Sequence, residues 1–373
     1  MKYFTGVIPS RVAQIFALAL MILPWPARAL IFNITYDSSV TSQPNAAQIE
    51  AAYGVVTQAY SALFTNPITL NITVIWGDSP FGNSSFGLVG NPSYAQLTSA
   101  LEAAETTSVD SNAVASLPLS DPTGSQIWWI PNAEAKALTQ IASLFGINPN
   151  DTTASDGQVM FASSGVTWAF SPTNRAVPGE YDFIAVAEHE TSEVMGRCSG
   201  LAQISGGYVP YDLYRFTNGV RTFNVFDSGV YFSINNGVTP LKFFNAVTQP
   251  PITNDVQDWM PTNVPDPFDY ALGQDVEAPL SSPDLTALSI LGYDLNFKPP
   301  RLSATRLANG NFQLTFTNIT GMNFQILAST NLQTPLANWI NLGAPTEIPI
   351  NHYQFTDTQA PANKARFYKV ILQ

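Results

Sequence analysis

Cysteine is all but missing from this chain, which has Cys198 alone in 373 residues. No internal disulfide can form, so stability must come from packing, with or without a metal ion. Charge is scarce too. Charged residues make up 11%, against roughly 25% in an average soluble domain, and Asn, Thr, Ser and Gln must cover the surface. The charge that exists is mostly negative, 27 acidic against 15 basic residues. That balance argues against nucleic acid or an anionic membrane as partner. Histidine is limited to His189 and His352, which excludes a site built on three imidazoles. No stretch approaches the 18 apolar residues of a membrane span, so a stable membrane insertion is not expected of the mature chain.

Apolar material is plentiful. Hydrophobic residues are 45% and aromatics 12%, with 28 Pro and 23 Gly. This composition suits a secreted, loop-rich protein with many strands and a sizeable core, and the length allows two domains. Residues 1–29 have the layout of a secretory signal peptide. Lys2 and Arg11 precede and open an apolar run from Val12 to Leu23, and Ala27-Arg28-Ala29 has the A-x-A form of a cleavage site. Its removal moves the net charge from −12 to −15. The mature protein is expected outside the cell or at its surface, as a monomer.

Periodicity organises the chain from residue 30 onward. Leu30 to Tyr36 alternates as a strand, Ala46 to Phe64 repeats its apolar residues at helical steps, and Ile68 to Trp76 is again a strand. Strand, helix, strand is the start of an α/β sheet. Residues 79–94 read as a loop. Helices are expected over 94–107 and 133–145, a short strand or loop over 127–131, and strands at 159–162 and 166–170. The pair Trp128-Trp129 is expected in the core. Residues 248–283 are rich in Pro and Asp, without clear periodicity. A last short helix runs from Ser282 to Leu291.

Pro299-Pro300 marks a boundary. Beyond it, five short alternating runs (Phe312–Phe316, Asn323–Ala328, Trp339–Leu342, Tyr353–Phe355 and Arg366–Ile371) predict a small antiparallel sandwich over 301–373. The preceding domain spans 30–298.

The chemistry concentrates in His189-Glu190-Thr191-Ser192-Glu193. Asp182 is placed to cap a helix there and Gly196 to close it. Residues four apart on a helix share a face, so the His189 imidazole and the Glu193 carboxylate point at one spot, and both are zinc ligands. Glu190 flanks that spot and is the candidate general base, able to take a proton from a water that the metal activates. The pattern is one residue away from H-E-x-x-H.

The stretch resembles metzincin-type proteases, whose pattern is H-E-x-x-H-x-x-G-x-x-H/D. His189, Glu190 and Gly196 are in register, whereas Glu193 stands at the second His and Ser199 at the last ligand position. A longer likeness is to secreted bacterial metalloprotease-like proteins with the motif H-E-x-x-E-V-M-G-R, carried by His189–Arg197, Tyr211–Phe216 and Leu285–Asp294. It covers roughly 30–297 and implies an α+β, metzincin-like zinc-peptidase domain acting on protein or peptide substrates. It also implies a methionine turn beneath the metal, for which Met260 is the least unsuitable candidate.

Zinc hydrolysis needs a third protein ligand. His352 belongs to the C-terminal module and is expected as an exposed strand residue. The choice lies among a carboxylate, Cys198 and a tyrosine. Asp212 is the first candidate, because its separation from the helix lets a second element fold back, and Tyr208 and Tyr211 follow. The ordinary roles are a cap or ion pair for Asp212 and a small buried residue for Cys198. Two carboxylates also suit harder divalent ions than zinc. Three functions compete: a secreted zinc endopeptidase, a protease-derived fold that binds metal or peptide without cleavage, and an extracellular adhesion or glycan-binding protein.

Overall fold

The computed structural model describes residues 30–124, 126–203, 207–247, 255–296, 300–318, 324–348, 352–363 and 365–372. The leader expected at 1–29 lies outside them. The architecture is α+β, with several small sheets.

Strand β1 (Ile31–Tyr36) leads into helix α1 (Ala46–Leu63) and strand β2 (Thr69–Gly77). The two strands pair in parallel, Ile31 opposite Thr69, as a helical crossover between them requires. α1 buries Ile49, Ala52, Tyr53, Val56 and Tyr60, a single apolar stripe at three- and four-residue steps. Strands β3 (Gly82–Phe86) and β4 (Gly157–Ala162) complete the sheet in the order β1-β2-β4-β3. β4 is parallel to β2, and β3 runs antiparallel at the edge.

β3 corrects the reading of 79–94 as loop. Gly82-Asn83-Ser84-Ser85-Phe86 has little intrinsic strand preference. Its extended form comes from pairing, with Gly82 opposite Phe161 and Phe86 opposite Gly157, so the neighbouring strand overrides local composition.

Helix α2 (Phe183–Val194) carries the motif. It packs beside α1 and over β3 and β4. Tyr53 of α1 shares a 2.9 Å hydrogen bond with Thr191, and the Tyr60 hydroxyl donates to the Glu188 carbonyl at 2.8 Å. The Phe183 and Phe161 rings meet edge-on at 4.8 Å. The helix is thereby clamped between a tyrosine-lined neighbour and an aromatic sheet face.

Other elements are shorter than their patterns. The helix expected over 133–145 is two pieces, Asn132–Ala137 and Thr139–Phe145, because Leu138 leaves helical geometry at φ −82°, ψ 87°. The helix from Tyr94 stops at Ala103, and a second begins at Ser108 with Thr107 and Asp110 as a capping box. Of 166–170, Trp168–Ala169 is strand. Trp128 is buried, as expected, and Trp129 half-buried.

From Ser303 onward seven strands pair, among the described residues, with one another in an antiparallel four-stranded and a three-stranded sheet. Among the described residues each of the five alternating runs holds a strand, at Phe312–Thr317, Phe324–Ser329, Ile340–Gly343, His352–Asp357 and Phe367–Leu372. Phe316 and Tyr353 of one sheet stack at 5.0 Å, and both meet Phe324 of the other, at 5.1 and 4.9 Å. The sheets therefore face each other across an aromatic layer. His352 is exposed on this module. Among the described residues no helix is long and apolar enough to cross a membrane.

Candidate metal centre

Asp182 starts α2, its Oδ1 accepting from the Ala185 amide at 3.2 Å while Arg175 holds the same carboxylate at 2.8–2.9 Å. Gly196 follows the last turn at φ 118°. Between these ends His189 and Glu193 lie one turn apart, with His189 Nε2 3.6 Å from Glu193 Oε1. A third group, Asp258, arrives from the segment after residue 254, its Oδ1 3.3 Å from the same nitrogen. Ligand atoms of these three residues all lie within 4.8 Å of one another, and no other trio of His, Cys, Asp or Glu among the described residues does so.

The spacing is compatible with metal ligation. Ligands at about 2.0–2.1 Å from a tetrahedral ion stand about 3.3–3.4 Å apart. A charge-assisted hydrogen bond would be nearer about 2.8 Å. The nitrogen-to-oxygen separations are too long for good hydrogen bonds and close to the edges of a coordination tetrahedron. The triad can hold a metal ion.

Each of the three groups is also held from behind. His189 Nδ1 lies 2.8 Å from the Pro267 carbonyl. That contact places the proton on Nδ1 and leaves Nε2 for a ligand bond. Glu193 accepts from Ser84 of β3 through Oε2 at 2.7 Å and from Gln257 through Oε1 at 2.8 Å. Asp258 Oδ1 accepts from Arg197 at 2.8 Å. Arg197 is wholly buried, donates to Ser192 at 2.7 Å and lies 4.3 Å over the Phe268 ring.

Charges balance in this cluster without an ion. Burial disfavours an imidazolium, but Asp258, aided by Glu193, holds the His189 pKa well above its ordinary value. Burial likewise opposes ionisation of Glu193, yet His189, Arg197 and Gln257 hold its carboxyl below the usual range. Imidazolium and guanidinium thus face two carboxylates. A divalent cation would take the place of the Nε2 proton.

Glu190 is not a member of the triad. It lines a cavity of about 410 Å³ together with His189 and Asp258. Burial first, and then the charge of Glu193, push its pKa well above the carboxylate range. Strand β3 passes directly over it. A methyl group at Gly82 would overlap Glu190 Oε1 and lie 2.9 Å from Val186.

Asp212, the expected third ligand, is not among the three converging groups. Its buried carboxylate accepts from Ser199 at 2.6 Å and from the backbone amides of Gly200 and Val209 at 2.9 and 3.1 Å. Those donors offset part of the burial, which still raises its pKa, and tie the loop after α2 to the chain beyond it. Ser199, at the position of a last metzincin ligand, serves this cap. Cys198 is a small buried residue whose thiol is pushed up by burial. Tyr211 packs among Phe232, Phe244 and Trp259, and Tyr208 against Trp128 and Phe223. Met260 is 44% exposed and supports nothing beneath the site. The member of the triad that sequence reasoning missed, Asp258, sits in the Pro- and Asp-rich stretch, where no periodicity distinguishes one aspartate from another.

No family model matches the chain, and neither a curated protein nor a solved structure is significantly similar to it.

Proposed function

We propose that this chain is a secreted, metal-dependent endopeptidase, a metzincin-like domain with a C-terminal β-sandwich module. The observation that carries the proposal is the spacing of His189, Glu193 and Asp258 around a point where a tetrahedral cation fits, with Glu190 beside it in an open cavity. Zinc is the cation proposed, although the two carboxylates suit a harder divalent ion as well. A bound cation would acidify water and polarise a peptide carbonyl.

The chain's own residues supply the rest. His189, Glu193 and Asp258 would hold the ion, and Pro267, Ser84, Gln257 and Arg197 orient them. Glu190 is the proton acceptor and later donor. Burial first, and then the Glu193 charge, raise its pKa, and a divalent charge at the triad would draw it back toward ionisation. β3 is the end strand of its sheet and lies over α2, a position from which an extended peptide can be paired by strand addition.

The charge balance of the triad favours a second reading, a protease-derived scaffold that binds peptide without cleaving it. Metal analysis of the purified mature chain and casein digestion with and without chelator separate the two. Stoichiometric metal with chelator-sensitive cleavage is the result expected. Loss of cleavage in Glu190→Gln, by about 100-fold or more as for a general base and with metal content unchanged, would assign the base. Peptide binding without cleavage would move the protein to the second reading, and absence of both metal and peptide binding would discard both.

A further inference from the structure

The cavity beside the triad holds two acids that the mechanism does not use, Asp255 and Asp269. Asp269 is 5% exposed. Its Oδ2 accepts from the Asp266 amide at 3.2 Å, but its Oδ1 is buried without a hydrogen-bond partner. Lys242, a basic group whose field reaches it, gives its hydrogen bond to Asp266 at 2.8 Å. An unpaired buried carboxylate oxygen is costly unless something supplies a donor.

Apart from His189, Glu190 and Asp258, the other walls are apolar or aromatic, among them Phe81, Tyr181, Val186 and Leu272. Such a lining suits the methylene stem of a long side chain, with the polar head delivered to the acids. A second metal ion is disfavoured by geometry, because Asp255, Asp269 and Glu190 form no converging trio. Acids spread around a cavity suit an ammonium or guanidinium, whose several donors reach separate acceptors. Burial and the Asp266 charge push the Asp269 pKa up to about 8, and a cation seated beside it would favour its ionised form.

We propose that this cavity is a specificity pocket for a lysine or arginine side chain of the peptide, received by Asp269 with Asp255. It rests on the reading of the site as peptide-binding, but not on cleavage.

Binding can therefore be read apart from hydrolysis. Fluorescent peptides of one sequence, carrying lysine, arginine, norleucine or glutamate at one position, are titrated against the full mature chain and its Glu190→Gln variant. Fluorescence anisotropy reports Kd. The expected result is binding of the lysine and arginine peptides roughly 10-fold or more tighter than norleucine, a difference of about 1.4 kcal/mol. Asp269→Asn should erase most of that preference while leaving norleucine binding in place. Asp255→Asn should reduce it, which keeps the test sound if the first variant folds poorly. Equal binding of lysine and norleucine, tighter binding of glutamate, or an undiminished lysine preference in both variants would overturn the proposal. A lysine preference that is sensitive to Asp269, in a protein that cleaves nothing, would uphold the pocket and remove the peptidase.

Discussion

At the residue scale, two aspartates separate ligation from scaffolding. Asp258 faces His189 across 3.3 Å, whereas Asp212 is surrounded by three donors of its own loop. Asp258→Asn should weaken metal binding by more than the roughly 10–100-fold that follows loss of an outer-shell partner, measured by competition with a chromophoric chelator. Asp212→Asn should leave metal affinity nearly unchanged and lower stability by about 1–3 kcal/mol, because it converts an acceptor of buried amides into a mismatched amide. The reverse pattern would restore Asp212 as the ligand. Only one of these aspartates could be weighed from spacing, since a carboxylate carries no periodic signature of the group it will face.

At the scale of elements, α2 and the strand above it form a sandwich with little tolerance. Gly196 ends the helix in a conformation side chains rarely adopt, and a methyl there would lie 2.9 Å from Glu134 Oε2. Gly196→Ala should cost about 1–3 kcal/mol, read as a shift in the denaturant midpoint. Gly82→Ala acts differently. It pushes on Glu190 from β3, so peptidase activity should fall more than stability. Circular dichroism and Tm, measured beside the casein rate, distinguish a displaced carboxyl from a broken sheet. The helix was legible because its cap, apolar stripe and closing glycine all lie within it. β3 was not, because Gly82–Phe86 becomes a strand only against Phe161 and its neighbours.

At the scale of the whole molecule, buried acids set the response to pH. Glu134 is fully buried with neither carboxyl oxygen hydrogen-bonded, and burial raises its pKa well above the ordinary value. Burial also raises Glu188 to about 8. In the unfolded chain both ionise near pH 4.5. Between that pH and the folded value the folded state holds the extra proton, so stability falls as pH rises, by about 1.4 kcal/mol per unit for each group. Glu134→Gln should remove its share, raising Tm at about pH 7–8 relative to wild type and changing little near pH 4. Thermal unfolding at several pH values checks this. Zinc at the triad should add about 2.7 kcal/mol to the unfolding free energy at a concentration 100-fold above Kd and raise Tm accordingly, and chelation should reverse it.

The order of residues alone determined the helices at 46–63 and 183–194, the parallel start of the sheet, the strands of the C-terminal sandwich, and the convergence of His189 with Glu193. Each of these depends on neighbours within a few positions, where helical and strand repeats act. The folded chain alone decided that Asp258 and not Asp212 completes the triad, that a Gly- and Ser-rich segment is an edge strand, and that Asp269 opens into the same cavity as Glu190. Those outcomes depend on the path of the backbone between distant segments, because a buried charge is stabilised by whatever the fold brings beside it rather than by its place in the chain.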